Sequence, residues 1–106
     1  MNDIKNKLRI FNKERDWDQF HSPENLAKSI AIEAGELLEC FQWGSDYDLH
    51  EVSDEIADVA MYCIMIADKI GIDLKQEMLR KLSENEAKYP VDKCKGSSKK
   101  YDKLGD

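Results

Sequence analysis

The stretch that decides the fold runs from Glu33 to Tyr62, EAGELLECFQWGSDYDLHEVSDEIADVAMY. It contains two helical segments joined by a short turn, and each segment carries a pair of carboxylates. Glu33 and Glu36 form the first pair, and Glu55 and Asp58 form the second. Because residues three apart on a helix project from one face, each pair presents two carboxylates to the same side.

The two pairs are expected at the same height along a helical hairpin. With the turn at residues 44–48, Glu36 and Glu33 stand about 10 and 15 Å from it, at about 1.5 Å per residue. Glu55 and Asp58 stand about 9 and 13 Å from its other end. Asp58 also lies in the most apolar helix, where an unpaired carboxylate is costly. The pattern predicts one shared site; ordinary solvated glutamates are the alternative.

Composition limits the class of protein. The chain has 106 residues, of which 36% are charged, and a net charge of −6. This length predicts a single small domain over residues 1–106, which would gain from burial in an oligomer. The negative charge argues against a nucleic-acid polymer as partner, because phosphate contacts need a basic face. With two prolines, five glycines and no alternating strand pattern, the sequence favours an all-α fold.

The cysteines and the apolar runs predict the cellular compartment of the protein. Cys40, Cys63 and Cys94 lack CxxC spacing, so free thiols in a reducing compartment are expected. The longest apolar run, from Val59 to Ala67, is far shorter than the roughly 20 residues of a membrane span. We therefore predict a soluble cytoplasmic protein with no membrane partner.

Apolar periodicity and capping signals predict an antiparallel bundle of about four helices. Ser22 before Pro23 is a typical helix start, Gly71 a typical helix end, and Pro90 disfavours further helix. Residues 91–106, rich in lysine, are expected to form an extended or mobile tail. The predicted helices span about residues 3–15, 23–42, 49–71 and 73–88.

The third of these helices is apolar around nearly its whole circumference, and such a helix must be buried on nearly all sides. One small chain cannot easily surround it, so a second copy is expected to cover part of it. An unusually well-covered central helix in a monomer is the alternative.

Ligand type indicates which metal the site would hold. Carboxylate oxygens suit Mg²⁺, with Mn²⁺ possible, rather than zinc. A ferritin-like di-iron site is disfavoured because neither His21 nor His50 stands three residues after a glutamate. Four carboxylates carry more negative charge than they need to hold one or two such ions alone. A polyphosphate could bridge the metals through its oxygens.

Two further groups are candidates for contacts with such a ligand. One face of the fourth helix could meet phosphates, although a solvated surface is the alternative: Lys81, Asn85 and Lys88. Three side chains could stack on or hydrogen-bond to a base, with helix-end packing as the alternative: Trp17, His21 and Trp43.

Five segments in order resemble the dCTP pyrophosphatase-like subgroup of the MazG-like all-α nucleoside triphosphate pyrophosphohydrolases. The ExxE of Glu33 to Glu36 and the ExxD of Glu55 to Asp58 match the signature of the family. The segments are RDWDQFHSPENL, GELLECFQW, DEIADVAMY, KxxxNxxKYP from Lys81 and the tail KGSSKKY. The resemblance extends from about Phe11 to Leu104.

The resemblance implies a homo-oligomer, commonly a tetramer built as a dimer of dimers. It implies Mg²⁺-dependent conversion of a (d)NTP, dCTP or a modified dCTP, to the monophosphate and pyrophosphate, as nucleotide-pool house-cleaning. Leu8 stands where the subgroup can place a base-contacting histidine, which leaves the base open. The implied residues are the metal ligands Glu33, Glu36, Glu55 and Asp58, the nucleoside pocket Trp17, His21, Trp43 and Tyr62, and the phosphate contacts Lys81, Asn85 and Lys88.

The predicted reaction is in-line attack of a metal-activated water on a phosphorus of the triphosphate. Glu36 or Glu33 would be the catalytic base that takes the proton of the water. Two alternatives from other classes are a non-hydrolytic nucleotide-binding or helix-bundle interaction module, and a purely structural acidic bundle.

Overall fold

The computed structural model describes residues 2–97, which contain five α-helices and no strand. The all-α prediction is therefore confirmed. The helices are α1 (Asn2–Glu14), α2 (Pro23–Glu39), α3 (Leu49–Ile70), α4 (Leu74–Lys88) and α5 (Val91–Cys94), with a 3₁₀ turn at Asp18–Phe20 between α1 and α2.

The helix boundaries follow from capping side chains. Ser22 Oγ accepts a hydrogen bond from the backbone N–H of Asn25, and Pro23 occupies the first turn of α2. The carboxylate of Asp48 caps α3 in the same way. At the other end of α3, Gly71 adopts a left-handed conformation with φ of 80°, which favours glycine. Asp73 then caps α4 by accepting a hydrogen bond from the N–H of Gln76.

Two boundaries differ from the predictions by more than one residue. Helix α2 ends at Glu39 rather than at Gln42, because the chain tightens into consecutive turns in which each N–H bonds to a carbonyl three residues back. The predicted extended or mobile tail was wrong for its first four residues, which form α5. Pro90, extended at the N-cap, is compatible with a helix start. The rest of that tail, beyond residue 97, lies outside the described residues.

The chain divides into two compact units, one that ends at Ile72 and one that begins at Asp73. In the first unit, α2 and α3 form the antiparallel hairpin that carries the acidic pairs, and α1 packs on α3. A bidentate ion pair joins α1 to α3: Arg9 Nε donates to Asp68 Oδ2 at 2.7 Å, and a second guanidinium nitrogen donates to Oδ1. The second unit holds α4 and α5.

The buried apolar core of the described residues is small. Its members are Leu26, Val52, Ile64 and Ala67. Large apolar side chains stand exposed instead on several helices, among them Leu38 on α2 at 72% exposed, Ile56 on α3 at 53%, and Leu79 on α4. The three cysteines are free thiols, as predicted. Within the described part of the chain, no helix has the length and apolarity needed to cross a membrane.

Candidate metal and nucleotide site

The two acidic pairs meet between α2 and α3. One carboxylate oxygen each from Glu33, Glu55 and Asp58 lies within 4.8 Å of the other two. Glu36 borders the same cluster, close enough to Glu33 and Glu55 for its carboxyl group to share a hydrogen bond with theirs when one of the partners is protonated. The prediction that the pairs meet across the hairpin is confirmed; the metal that they would bind stays a prediction.

The donor atoms of this cluster fit a hard cation. Oε2 of Glu33 and Oε2 of Glu55 are buried, and neither has a hydrogen-bond partner among the described residues. Buried carboxylate oxygens without partners are costly unless a proton or a cation compensates them. Oxygen donors in this number and of this charge are the ligands that Mg²⁺ and Mn²⁺ take. The residues present therefore fit a divalent metal centre.

Electrostatics in the cluster favour uptake of positive charge. Burial, then the neighbouring Glu36 carboxyl, then the charges of Asp58 and Glu55 raise the pKa of Glu33 to about 7. Burial, followed by the charge of Glu36, also raises the pKa of Glu55. Part of the cluster thus holds protons near neutral pH unless a cation replaces them.

This shift predicts that Glu33 makes the metal-free protein less stable as pH rises, the opposite of what a carboxylate with a lowered pKa does. The folded-state pKa of Glu33 lies above its ordinary value, so its contribution to stability is fully present below the ordinary carboxyl pKa and is lost as pH rises through about 7. We expect a higher Tm at about pH 5.5 than at about pH 8, measured by thermal melts in chelator.

A Glu33→Gln variant is the control for this experiment, since it should flatten the slope. Added Mg²⁺ should raise Tm more at the higher pH, where it no longer competes with protons. A metal-free Tm that climbs steadily across the same pH range would contradict the expected state of the cluster.

A cavity of about 500 Å³ opens beside the cluster, between α1 and α3. Asp58 belongs both to the cluster and to the cavity wall. The wall is otherwise largely apolar and aromatic, and it also includes His21. The other lining residues are Ile4, Lys7, Leu8, Phe11, Asn12, Trp17, Met61, Tyr62 and Met65. The structure therefore brings three of the predicted nucleoside-pocket residues, Trp17, His21 and Tyr62, to one cavity that adjoins the acidic cluster.

The turn after α1 places Trp17 at this cavity. Asp16 takes a left-handed conformation with φ of 55°, which aspartate tolerates better than most residues. The side chain of Gln19 holds this turn by donating to the backbone carbonyl of Asp16 at 3.0 Å. The ring of Trp17 meets that of Phe11 edge to face, with 5.6 Å between centroids. The guanidinium of Arg15 lies over the Phe11 ring, 3.8 Å from its centroid. Both contacts hold the Phe11 ring in place beside Trp17.

Of the remaining predicted contacts, Trp43 does not line this cavity. Trp43 is 92% exposed in the turn after α2. Lys81, Asn85 and Lys88 belong to the second unit, where Lys81 and Lys88 each pair with Glu84 at 3.6 Å. Their substrate contacts therefore stay predictions.

Sequence reasoning missed several residues of the cavity wall. Phe11 on α1 and Met61 and Met65 on α3 are apolar side chains of the kind that periodicity assigns to a core. Asn12, a polar residue next to Phe11, is the available signal of a cavity wall. Periodicity separates buried from solvated faces and cannot tell a core face from a cavity wall.

The described residues thus form an all-α protein with an acidic cluster that fits a divalent cation and an aromatic cavity at the edge of that cluster. A family model described as MazG-like matches residues 28–104. The chain therefore belongs to the MazG-like family.

Two relatives and a solved structure are similar to this chain in sequence. dCTP pyrophosphatase 1 of Mus musculus is 36% identical over 98% of this chain and 67% of its own length. dCTP pyrophosphatase 1 of Homo sapiens is 34% identical with the same coverage. Among solved structures, a pyrophosphatase from Archaeoglobus fulgidus is 40% identical and superposes with a TM-score of 0.77, covering 85% of this chain and 92% of that one. The family and these relatives support a nucleoside triphosphate pyrophosphohydrolase.

Proposed function

We propose that the chain converts dCTP or a modified dCTP to the monophosphate and pyrophosphate, with Mg²⁺ or Mn²⁺ held at the acidic cluster. The activity would serve to remove unwanted nucleotides from the cytoplasmic pool. The dCTP preference is suggested by the names of the mouse and human relatives.

The observation that carries this proposal is the position of Asp58. This carboxylate lies in the cluster that fits a cation and also lines the aromatic cavity. A ligand that fills both places needs a flat, partly apolar group at one end and a chain of anionic oxygens at the other. A nucleoside triphosphate has this form.

Each group of residues has a distinct role in the proposed reaction. Glu33, Glu55 and Asp58 would hold the metal, with Glu36 completing the set. When bound, divalent cations neutralise charge on phosphate oxygens and lower the pKa of a water nucleophile. The aromatic side chains orient the base and keep water from that end of the substrate. Glu36 or Glu33 would accept the proton of the attacking water.

We further propose that the two units act together as one domain in a homo-oligomer, of which a tetramer is the expected form. Support comes from the small buried core and from the large apolar side chains left exposed on α2, α3 and α4, which a second copy would bury. In such an assembly Trp43, Lys81, Asn85 and Lys88 could reach the substrate of a neighbouring copy. Sedimentation of the purified chain gives its mass directly, and a monomer at micromolar concentration would contradict the assembly.

Product analysis tests the reaction itself. Purified protein with Mg²⁺ and each common deoxynucleoside triphosphate is followed by ³¹P NMR. Pyrophosphate and monophosphate in equal amounts support the proposal. Inorganic phosphate together with the nucleoside diphosphate would show cleavage at the other anhydride bond. Nucleotide binding without any product would favour the non-hydrolytic module.

A further inference from the structure

Asn12 is a buried polar side chain in the wall of the nucleotide cavity. It is 6% exposed, and among the described residues it is the only polar or charged residue that is buried. Its neighbours in the wall are mostly apolar or aromatic. A buried amide in such surroundings is costly in free energy unless its polar atoms form hydrogen bonds. Both the nitrogen and the oxygen of this amide are therefore expected to have a partner.

The amide nitrogen and the amide oxygen of Asn12 differ in their hydrogen bonding. Nδ2 donates to Met65 Sδ at 3.1 Å. A thioether sulfur accepts hydrogen bonds and cannot donate them, so the contact fixes the amide with its NH₂ group toward Met65. The reverse orientation would set two acceptors against each other. This orientation turns Oδ1 away from Met65 and leaves it available to a donor from outside the chain.

The backbone of Asn12 ties this acceptor to the aromatic wall. Its carbonyl accepts a hydrogen bond from the N–H of Trp17 at 3.0 Å. Both side chains line the same cavity. A stacking surface and a directed acceptor therefore belong to one local unit, and Met65 from α3 sets the direction of the acceptor.

We propose that Oδ1 of Asn12 accepts a hydrogen bond from an exocyclic amino group of the base and so selects cytosine over uracil. The inference rests on the proposed function. Cytosine carries an amino group at the position where uracil has a carbonyl, and a carbonyl placed against Oδ1 leaves two acceptors unpaired. Sites that hydrogen-bond a substrate group reject analogues that lack it, because their buried polar atoms are then left unpaired. Asn12 is the specificity-determining residue, and Met65 is a positioning residue that acts through it.

The nucleotides dCTP and dUTP provide the test, because their bases differ only along this edge. We expect the wild-type protein to favour dCTP in kcat/KM. Asn12→Leu, close to asparagine in size, should lower the dCTP:dUTP ratio by about tenfold or more, mainly by loss with dCTP. Met65→Leu frees the amide to turn and should lower the same ratio, in part by a gain with dUTP. Asn6→Leu, on the exposed side of the same helix, is the matched control and should leave the ratio unchanged.

Several results would overturn the inference. A wild-type preference for dUTP would do so, as would an Asn12→Leu variant that loses activity equally with both nucleotides, which indicates a role in packing alone. Should Asn12→Leu fail to fold, an unchanged ratio in Met65→Leu counts against the oriented amide. If no triphosphate is hydrolysed, the proposed function fails, and equilibrium binding of dCTP against dUTP still measures the selectivity of Asn12.

Discussion

Replacing Glu55 by glutamine is expected to lower the Mg²⁺-dependent release of pyrophosphate by more than about 100-fold, since even the outer-shell partners of a metal centre are worth about 10- to 100-fold. Glu55 contributes an oxygen to the cluster, and its Oε2 is buried without a hydrogen-bond partner among the described residues. Glutamine keeps the shape of the side chain and removes its charge, so the loss would report on cation binding rather than on packing.

The same substitution should stabilise the metal-free protein. Burial and the charge of Glu36 raise the pKa of Glu55, which means that its charged form is disfavoured in the fold. An amide relieves the repulsion and supplies a donor to the remaining carboxylates. We expect the metal-free Tm to rise at about pH 8 and the thermal shift on adding Mg²⁺ to shrink.

Glu24→Gln is the matched control for Glu55→Gln. Glu24 lies exposed in the first turn of α2, away from the cluster, and pairs with Lys28 at 3.3 Å. Its replacement should leave both the activity and the Mg²⁺-induced thermal shift unchanged. Full activity in Glu55→Gln, or a metal-free Tm well below that of the wild type, would remove Glu55 from the proposed role.

Replacing Trp17 by alanine is expected to lower kcat/KM for the preferred nucleotide by about 5- to 150-fold, because stacking of a base on an aromatic ring is worth about 1–3 kcal/mol. The ring lines the cavity and is held by its contact with Phe11. Trp17→Phe keeps a flat ring and should recover most of the loss. Steady-state kinetics on the intact protein measure both variants.

Phe20→Ala is the control for Trp17. Phe20 lies in the same loop, is exposed, and does not line the cavity. A loss in Phe20→Ala as large as that in Trp17→Ala would mean that the loop is disturbed as a whole, and would contradict a specific stacking role. Equal activity of Trp17→Ala and the wild type would exclude Trp17 from the pocket.

Much of the helical fold could be predicted because its boundaries are encoded locally. Ser22, Asp48 and Asp73 each cap the helix that follows, and Gly71 supplies the left-handed residue that ends α3. These signals depend on a few neighbouring residues. The tight turns after Glu39 and the short helix from Val91 were missed, because no single residue there marks the change in hydrogen-bond pattern.

The acidic cluster could be predicted for a different reason. A short turn fixes the register of two antiparallel helices, so equal distances from the turn bring Glu33 opposite Asp58 and Glu36 opposite Glu55. The cavity could not be predicted in the same way. It depends on how far α1 stands from α3, which the Arg9–Asp68 pair and the left-handed turn at Asp16 influence, and neither has a periodic signature in the sequence.

We propose that one carboxylate cluster holds the metal next to the cavity that holds the base. A crystal structure with Mn²⁺ and a non-hydrolysable dCTP analogue tests this arrangement, since anomalous scattering locates the metal. We expect a manganese peak bonded to oxygens of Glu33, Glu55 and Asp58, with the cytosine beside Trp17 and its amino group at Asn12. Manganese bound elsewhere, or a base outside this cavity, would contradict it.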